Sequence, residues 1–230
     1  MAGNDELAQA IAETNSTIST ISSSQEELSK EINSTIHQIH GLEEWRESAI
    51  VNLGELGRSI DLAQSSLDET NSKMSNFMSD GVFTAAEIAA IKELYYTLKS
   101  AYTVLEREYI DIETDIINRF KDPESGEINY DEIQEELPQY NIAKQMWFRD
   151  GGLNIDSHNI STISQKLYDG GLVYTDLSIK ELYNIILALC ETMTQDSTAD
   201  SVERKVWNQA NEQLTLILKD FESNLKELSA

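Results

Sequence analysis

The first third of the chain keeps its apolar residues in one uninterrupted seven-residue frame. Counting in sevens from Ile11 gives the a positions, and counting from Thr14 gives the d positions of the same frame, which ends at Phe77. A straight helix drifts out of a strict seven-residue repeat within a few turns, because 3.6 residues per turn does not divide seven. A frame kept over this length therefore predicts a supercoiled coiled coil rather than an ordinary globular helix.

The apolar members of this frame are the predicted oligomerisation residues. They are Ile11, Ile18, Ile21, Leu28, Ile32, Ile39, Leu42, Leu53, Leu56, Ile60 and Leu67. Isoleucine at a, with isoleucine and leucine sharing d, favours three strands over two, while polar residues at core positions (Thr14, Gln25, Thr35, Thr70) fix the register at some cost in stability. We therefore predict a homotrimeric coiled-coil stalk over residues 1–78.

The middle of the frame leaves an alternative open. Gly41, Gly54 and Gly57 each weaken a helix interior by about 1 kcal/mol, and Arg46 occupies an a position. A turn near Gly41 would fold the segment into a hairpin within one chain and would replace the trimeric stalk by a self-contained bundle.

Residues 79–230 have a different texture, in which amphipathic helices are separated by short Asp-Gly or Gly-Gly loops. Thr84 followed three residues later by Glu87 is a capping box, which predicts the start of a long helix that ends near Phe120. A final helix is predicted from about Ala199 to Leu228. The fold class is therefore all-α, with a coiled coil followed by a helical bundle.

Two of the loops resemble calcium-binding helix-loop-helix (EF-hand) loops in layout. In residues 79–87 and 122–132, a β-favouring residue follows a glycine at two positions and a glutamate follows it at six. These are positions 6, 8 and 12 of an EF-hand loop, and paired loops of this kind join through a short two-stranded ribbon. The ribbon would pair residues 82–84 with residues 128–130.

The positions that should begin the oxygen cage hold Asn76 and Met78 in the first loop and Lys121 and Pro123 in the second. We therefore predict degenerate, metal-free loops. The alternative is a calcium-sensing module whose ligands are Asp80, Thr84, Glu87, Ser125, Asn129 and Glu132.

The composition excludes several functions. A net charge of −24, from 41 acidic and 17 basic residues, disfavours binding to nucleic acid and to anionic lipid. Three histidines and one cysteine, Cys190, which lies in an apolar run that predicts burial, offer no nucleophile and base pair. No apolar stretch is long enough to span a membrane, and the first residues lack the pattern of a signal peptide. We predict no enzymatic activity, no cofactor and no metal.

One segment resembles a known family. Residues 80–87 read Asp-Gly-Val-Phe-Thr-Ala-Ala-Glu, and the resemblance continues into the helix that follows as far as Tyr109. This stretch of about thirty residues is similar to a helical module of bacteriophage tail-tip, baseplate and tail-fibre proteins, in which an Asp-Gly-x-Ile-Thr segment opens a helical hairpin between fibre segments. This chain has Phe83 in place of the usual isoleucine and Ile88 in place of the usual lysine.

The resemblance implies a virion structural protein, made in the host cytoplasm and assembled into a tail, baseplate or fibre. Its expected partners are other copies of itself and neighbouring tail proteins, with no nucleic acid and no membrane. The alternative is a secreted helical-bundle effector, tip protein or pore-forming toxin subunit, because such proteins also combine long helices with an absence of catalytic residues.

Overall fold

The computed structural model describes residues 2–122 and 125–229, and in those residues the chain is helical without a strand. The all-α class predicted from the sequence is confirmed. The α-helices are α1 (Ala2–Phe77), α2 (Ala85–Arg119), α3 (Tyr130–Glu136), α4 (Pro138–Trp147), α5 (Ile160–Tyr168), α6 (Ile179–Asp196) and α7 (Ser201–Lys226). Short 3-10 helices cover Tyr174–Asp176 and Glu227–Ser229.

The chain divides into two compact units, residues 1–48 and residues 49–230. The boundary predicted from the sequence lay thirty residues later, after residue 78. The difference arises because the second half of the heptad frame contributes to the hydrophobic core of the second unit, in which Leu56, Ile60 and Met74 are buried.

Helix α1 continues through Gly41 and Arg46 without a break. The hairpin predicted as the alternative near Gly41 is therefore wrong for this structure. A glycine in a helix interior weakens the helix but does not end it when the flanking residues favour helix, as the residues around Gly41 do.

Three helices of the second unit begin with the same local device. Thr84 and Glu87 form the predicted capping box at the start of α2, and equivalent boxes begin α6 at Ser178 and α7 at Asp200. In each box the side chain of the first residue accepts a hydrogen bond from the backbone N–H three residues on, and a glutamate side chain accepts from the first residue's backbone N–H. Two otherwise unpaired donors are satisfied at each helix start.

The core of the second unit lies where α6 packs against α2 and α7, with α4 and α5 against α7. Trp147 at the end of α4 stacks on Tyr102 and Tyr109 of α2, with centroid distances of 5.9 and 4.9 Å, and contacts Phe221 of α7 at 5.7 Å. Trp147 is therefore a core residue that ties three helices together.

The predicted ribbon between residues 82–84 and 128–130 is wrong. Val82 pairs instead with Thr198 in an isolated antiparallel bridge, and Lys121 pairs with Ile128 inside its own loop. The Val82–Thr198 bridge is nearly symmetric, because the N–H of Phe83 donates to the carbonyl of Ser197 and the N–H of Ala199 donates to the carbonyl of Gly81, both at 3.0 Å.

Both loops at this bridge turn through a residue with positive φ. Gly81 has φ of 77° and Ser197 has φ of 57°. Ser197 is a non-glycine residue in the left-handed region, which is uncommon. The turn between α6 and α7 is therefore not marked by a glycine, unlike the turn at Gly81. The bridge joins the loop between α1 and α2 to the loop between α6 and α7.

Candidate functional site: the apolar seam of residues 7–42

The first unit is a single stretch of α1, and its apolar side chains lie on one face. Nine large apolar residues of this stretch are between 45 and 60% exposed: Leu7, Ile11, Ile18, Ile21, Leu28, Ile32, Ile36, Ile39 and Leu42. Eight of them occupy a or d positions, and Ile36 occupies the neighbouring e position. We call this face of residues 7–42 the seam. An exposed apolar face of this length marks an interaction surface.

The threonines of the seam are already satisfied by their own helix. The hydroxyl of Thr14 donates to the carbonyl of Ala10 at 2.8 Å, and the hydroxyl of Thr35 donates to the carbonyl of Glu31 at 2.9 Å. A buried hydroxyl is costly only when it lacks a partner. Both threonines can therefore be covered by another helix without leaving an unpaired donor.

Most charges of the first unit lie away from the seam and its flanks. Residues 1–48 carry nine acidic side chains against Lys30 and Arg46. Six of the acidic residues lie at b and c positions, and only Glu31 and Glu43 lie at the e and g positions that flank the seam. The flanks are otherwise built mostly from alanine, serine, threonine and asparagine, which another helix can approach closely.

The structure separates the predicted oligomerisation residues into two groups. Ile11, Ile18, Ile21, Leu28, Ile32, Ile39 and Leu42 are exposed. Leu53 is partly buried against the core of the second unit, and Leu56, Ile60 and Leu67 are fully buried in it. Assigning these last three residues to an interface between chains is therefore corrected, since they contact their own chain.

The sequence interpretation left two residues out of the seam. Leu7 is the d position one heptad before Thr14, and extending the frame towards the N-terminus would have found it. Ile36 lies beside the frame at an e position, where apolar periodicity alone gives a weaker signal.

The first loop uses its candidate calcium ligands as helix and turn contacts. Asp80 accepts a hydrogen bond from the N–H of Val82 at 3.1 Å. Glu87 accepts from the backbone N–H and the hydroxyl of Thr84 at 2.8 and 2.7 Å. These oxygens stabilise the start of α2.

The candidate ligands in residues 122–132 are used in the same way, as helix and turn contacts. Residues 123 and 124, which include the predicted cage position Pro123, lie outside the described part of the chain. Asn129 accepts from the N–H of Glu132 at 3.2 Å and donates to its carboxylate at 2.8 Å. The hydroxyl of Ser125 accepts from the N–H of Glu127 at 3.2 Å. Across residues 2–122 and 125–229, no group of three or more His, Cys, Asp or Glu side chains is placed to hold a metal ion.

Cys190 lies in the core of the second unit, as its apolar neighbours predict. Burial raises the pKa of the Cys190 thiol far above its usual range, because the thiolate would lose its hydration there. The reactive form of a cysteine is the thiolate, and so Cys190 is a packing residue.

The second unit carries a cleft of about 780 Å³ beside α4 and α7. Its lining mixes apolar side chains such as Ile142, Met146 and Ile217 with side-chain amides such as Asn141 and Gln213. This mixture does not indicate a particular ligand, and the seam remains the stronger candidate.

No protein-family model matches the chain, and comparisons with curated proteins and with solved structures found no match. Among the described residues, no helix is both long and apolar enough to cross a membrane.

Proposed function

We propose that the protein is a non-enzymatic structural and assembly protein that associates with other copies of itself through the seam. The observation that supports this function is the seam itself, in which nine large apolar side chains on one helix face remain about half exposed. Covering an isoleucine or leucine that is half exposed contributes roughly 1 kcal/mol. Several such side chains along one helix make association strongly favourable.

The first unit also needs a partner in order to be a stable helix. In proteins most of the stability of a helix comes from packing its apolar face. A local pair such as Gln9–Glu13, at 3.2 Å, contributes only about 0.2–0.5 kcal/mol. Association through the seam supplies the missing packing.

In this proposal the second unit docks neighbouring subunits. The loops around Gly81 and Ser197, which the Val82–Thr198 bridge joins, act as a junction that keeps the surrounding helices in place. The resemblance of residues 80–109 to phage tail modules favours a place in a phage tail, baseplate or tail fibre. The capping box at Thr84 supports that likeness, because it opens α2 where the module opens its helical hairpin.

A secreted effector or pore-forming subunit is the second candidate, because an exposed apolar helix face can also enter a lipid surface. The acidic residues at b and c positions oppose contact with anionic headgroups. Vesicles of mixed neutral and anionic phospholipid, loaded with a self-quenching dye, separate the two functions. An assembly protein leaves them intact, whereas leakage at micromolar protein would favour the pore-forming candidate.

Self-association is tested by the solution mass of the full chain and of a seam variant. At micromolar concentration the wild-type chain should have a mass of at least two chains of 25.9 kDa each. The double variant Ile18→Ser with Ile32→Ser should be monomeric, because it places hydroxymethyl groups in two core layers, and it should keep the thermal unfolding of the second unit.

Leu62→Ser is the matched control. Leu62 lies on the same helix α1 at a c position and is 52% exposed, so the substitution removes a comparable apolar surface away from the seam. This variant should assemble like the wild type. Self-association with a Kd below about 10 µM would give complexes at that concentration. A wild-type chain that stays monomeric at about 10 µM would therefore refute the proposed function.

A further inference from the structure

We infer that the seam binds two further copies of the same chain, in a parallel three-helix coiled coil with all three chains in register. This inference rests on the proposed function, since it names the partner, the direction and the number of helices at the same surface. Each of the three follows from a separate property of residues 4–42.

The direction follows from where the polar seam residues lie. The seam has eleven core layers between Leu7 and Leu42, and three of them are polar: Thr14, Gln25 and Thr35. In a parallel assembly in register, each polar residue meets its own copies and each apolar residue meets apolar copies. The side-chain amide of Gln25 both donates and accepts, so its copies can hydrogen-bond to one another.

Antiparallel pairing disturbs this arrangement, because each layer then joins an a position to a d position of the partner. The two registers that use most of the seam place Gln25 against Ile21 or against Leu28. They also place both threonines against isoleucines, so that six layers become mixed. Registers that align Gln25 with Thr14 or with Thr35 keep apolar residues together, but each of them pairs only eight of the eleven layers inside the seam. Only the parallel register pairs all eleven layers inside the seam without joining a polar residue to an apolar one.

The number of helices follows from the shapes of the core residues. Four of the five a positions between Ile11 and Ile39 are isoleucine. Three of the six d positions are β-branched, namely Thr14, Ile21 and Thr35. β-branched residues at both a and d shift a coiled coil from two strands to three or more.

The residues that flank the seam also favour three helices. A third helix brings the e and g positions closer to the neighbouring chains, and charged residues there would then lose hydration. Most of these positions are small or uncharged, as at Ala8, Ser22 and Ser24. Ile36 at an e position is 45% exposed, and a third helix gives it an apolar contact.

The flanks also indicate that the partner is the same chain. Coiled coils that select a different partner do so through complementary charges at e and g positions. Between residues 4 and 42 these positions carry one charge, Glu31, and no lysine or arginine. Specificity then comes from the spacing of the three polar layers, which coincide when two copies of the chain are aligned in parallel and in register.

Sedimentation equilibrium and single-cysteine variants test number and direction on the full chain. The mass should be three times 25.9 kDa across a range of micromolar concentrations. Leu7→Cys and Leu42→Cys, each alone under mild oxidation, should give a disulfide-linked pair of chains, because in a parallel assembly each residue meets its own copy. The wild-type chain is the control, since its own Cys190 is buried.

Each other outcome has a distinct meaning. A mass of two or four chains overturns the three-helix inference and leaves the proposed self-association standing. Cross-linking of Leu7→Cys only when it is mixed with Ile32→Cys or Ile39→Cys overturns the parallel arrangement. A chain that remains monomeric, with no cross-link from any variant, overturns the proposed function as well.

Discussion

Glu181 is a buried carboxylate that joins the start of α6 to the loop after α4. It is 5% exposed, and its Oε1 accepts a hydrogen bond from the N–H of Leu153 at 2.7 Å. Its Oε2 accepts from the N–H and the hydroxyl of Ser178 at 2.8 and 2.9 Å. A Cβ at Gly152 would lie 2.9 Å from Oε1, so a glycine there lets the loop approach the carboxylate. Three donors replace the water that burial removes.

Replacing Glu181 by alanine should therefore destabilise the second unit strongly. Each hydrogen bond to a charged group contributes about 1.5–3 kcal/mol, and the variant leaves the N–H groups of Leu153 and Ser178 unpaired. We expect the free energy of unfolding in urea to fall by roughly 3 kcal/mol. Glu181→Gln should lose less, because its amide oxygen can still accept from one of these donors.

Glu87→Ala is the matched control, because Glu87 holds the same place in the exposed capping box of α2. Its loss should cost about 1 kcal/mol, since water can replace the missing acceptor. Equal losses at the two glutamates would show that the buried carboxylate has no role beyond capping.

At the scale of the elements, the sequence predicts helix α1 and the start of α2 well, because a heptad frame and a capping box are both local signals. The sequence does not show at which residue the apolar side chains of the frame pass from an exposed face to the core of the second unit. A stripe of a and d residues is required both for pairing with another chain and for packing in a core, and so Ile32 and Ile60 look alike in the sequence. Only the structure shows that Ile60 is buried by its own chain.

The predicted pairing of residues 82–84 with residues 128–130 was wrong because it, too, rested on a local signal. The glycine at position 81 identifies a turn, but a turn does not identify its partner. The true partner loop turns at Ser197, which has a φ of 57° although it is not a glycine, so the sequence does not mark this turn. Long-range pairings of this kind depend on the packing of four helices, which short motifs do not encode.

Gly41→Ala tests whether α1 is straight and helical at the point where the sequence suggests a bend. A Cβ at Gly41 would have no atom within 4 Å, and the helix is continuous there. Alanine should stabilise the helix by about 0.5–1 kcal/mol per chain, because it loses less conformational freedom on folding. Circular dichroism at 222 nm should show the assembled first unit unfolding at a higher temperature.

Gly54→Ala is the matched control, since Gly54 also lies inside α1 with open space around its Cβ but belongs to the second unit. This variant should raise the unfolding temperature of the second unit and leave the association unchanged. If Gly41→Ala instead weakens association, α1 bends at Gly41 in the assembled protein.

At the scale of the whole molecule, charge and apolar surface act in opposite directions. A net charge of −24 makes copies of this chain repel one another, and this repulsion opposes the association that we propose for the seam. In the first unit the two are separated on the helix surface, because most acidic residues lie at b and c positions and the apolar residues lie at a and d. The repulsion therefore acts mainly through solvent, where dissolved salt screens it.

Association should consequently tighten as the salt concentration rises. Between about 20 mM and about 500 mM sodium chloride the screening length falls from roughly 20 Å to roughly 4 Å, which removes most of the repulsion between the acidic side chains of neighbouring helices. The apolar contacts of the seam are not weakened by this change. Sedimentation equilibrium of the full chain should therefore show a lower dissociation constant at high salt.

The double variant Ile18→Ser with Ile32→Ser is the control for this measurement, and it should stay monomeric at both salt concentrations. An association that weakens at high salt would mean that attraction between opposite charges holds the copies together. If that attraction acts within the first unit, its basic residues Lys30 and Arg46 carry it, and Lys30→Gln would reduce the salt dependence. A seam that is apolar at its core and uncharged along most of its flanks requires the opposite result.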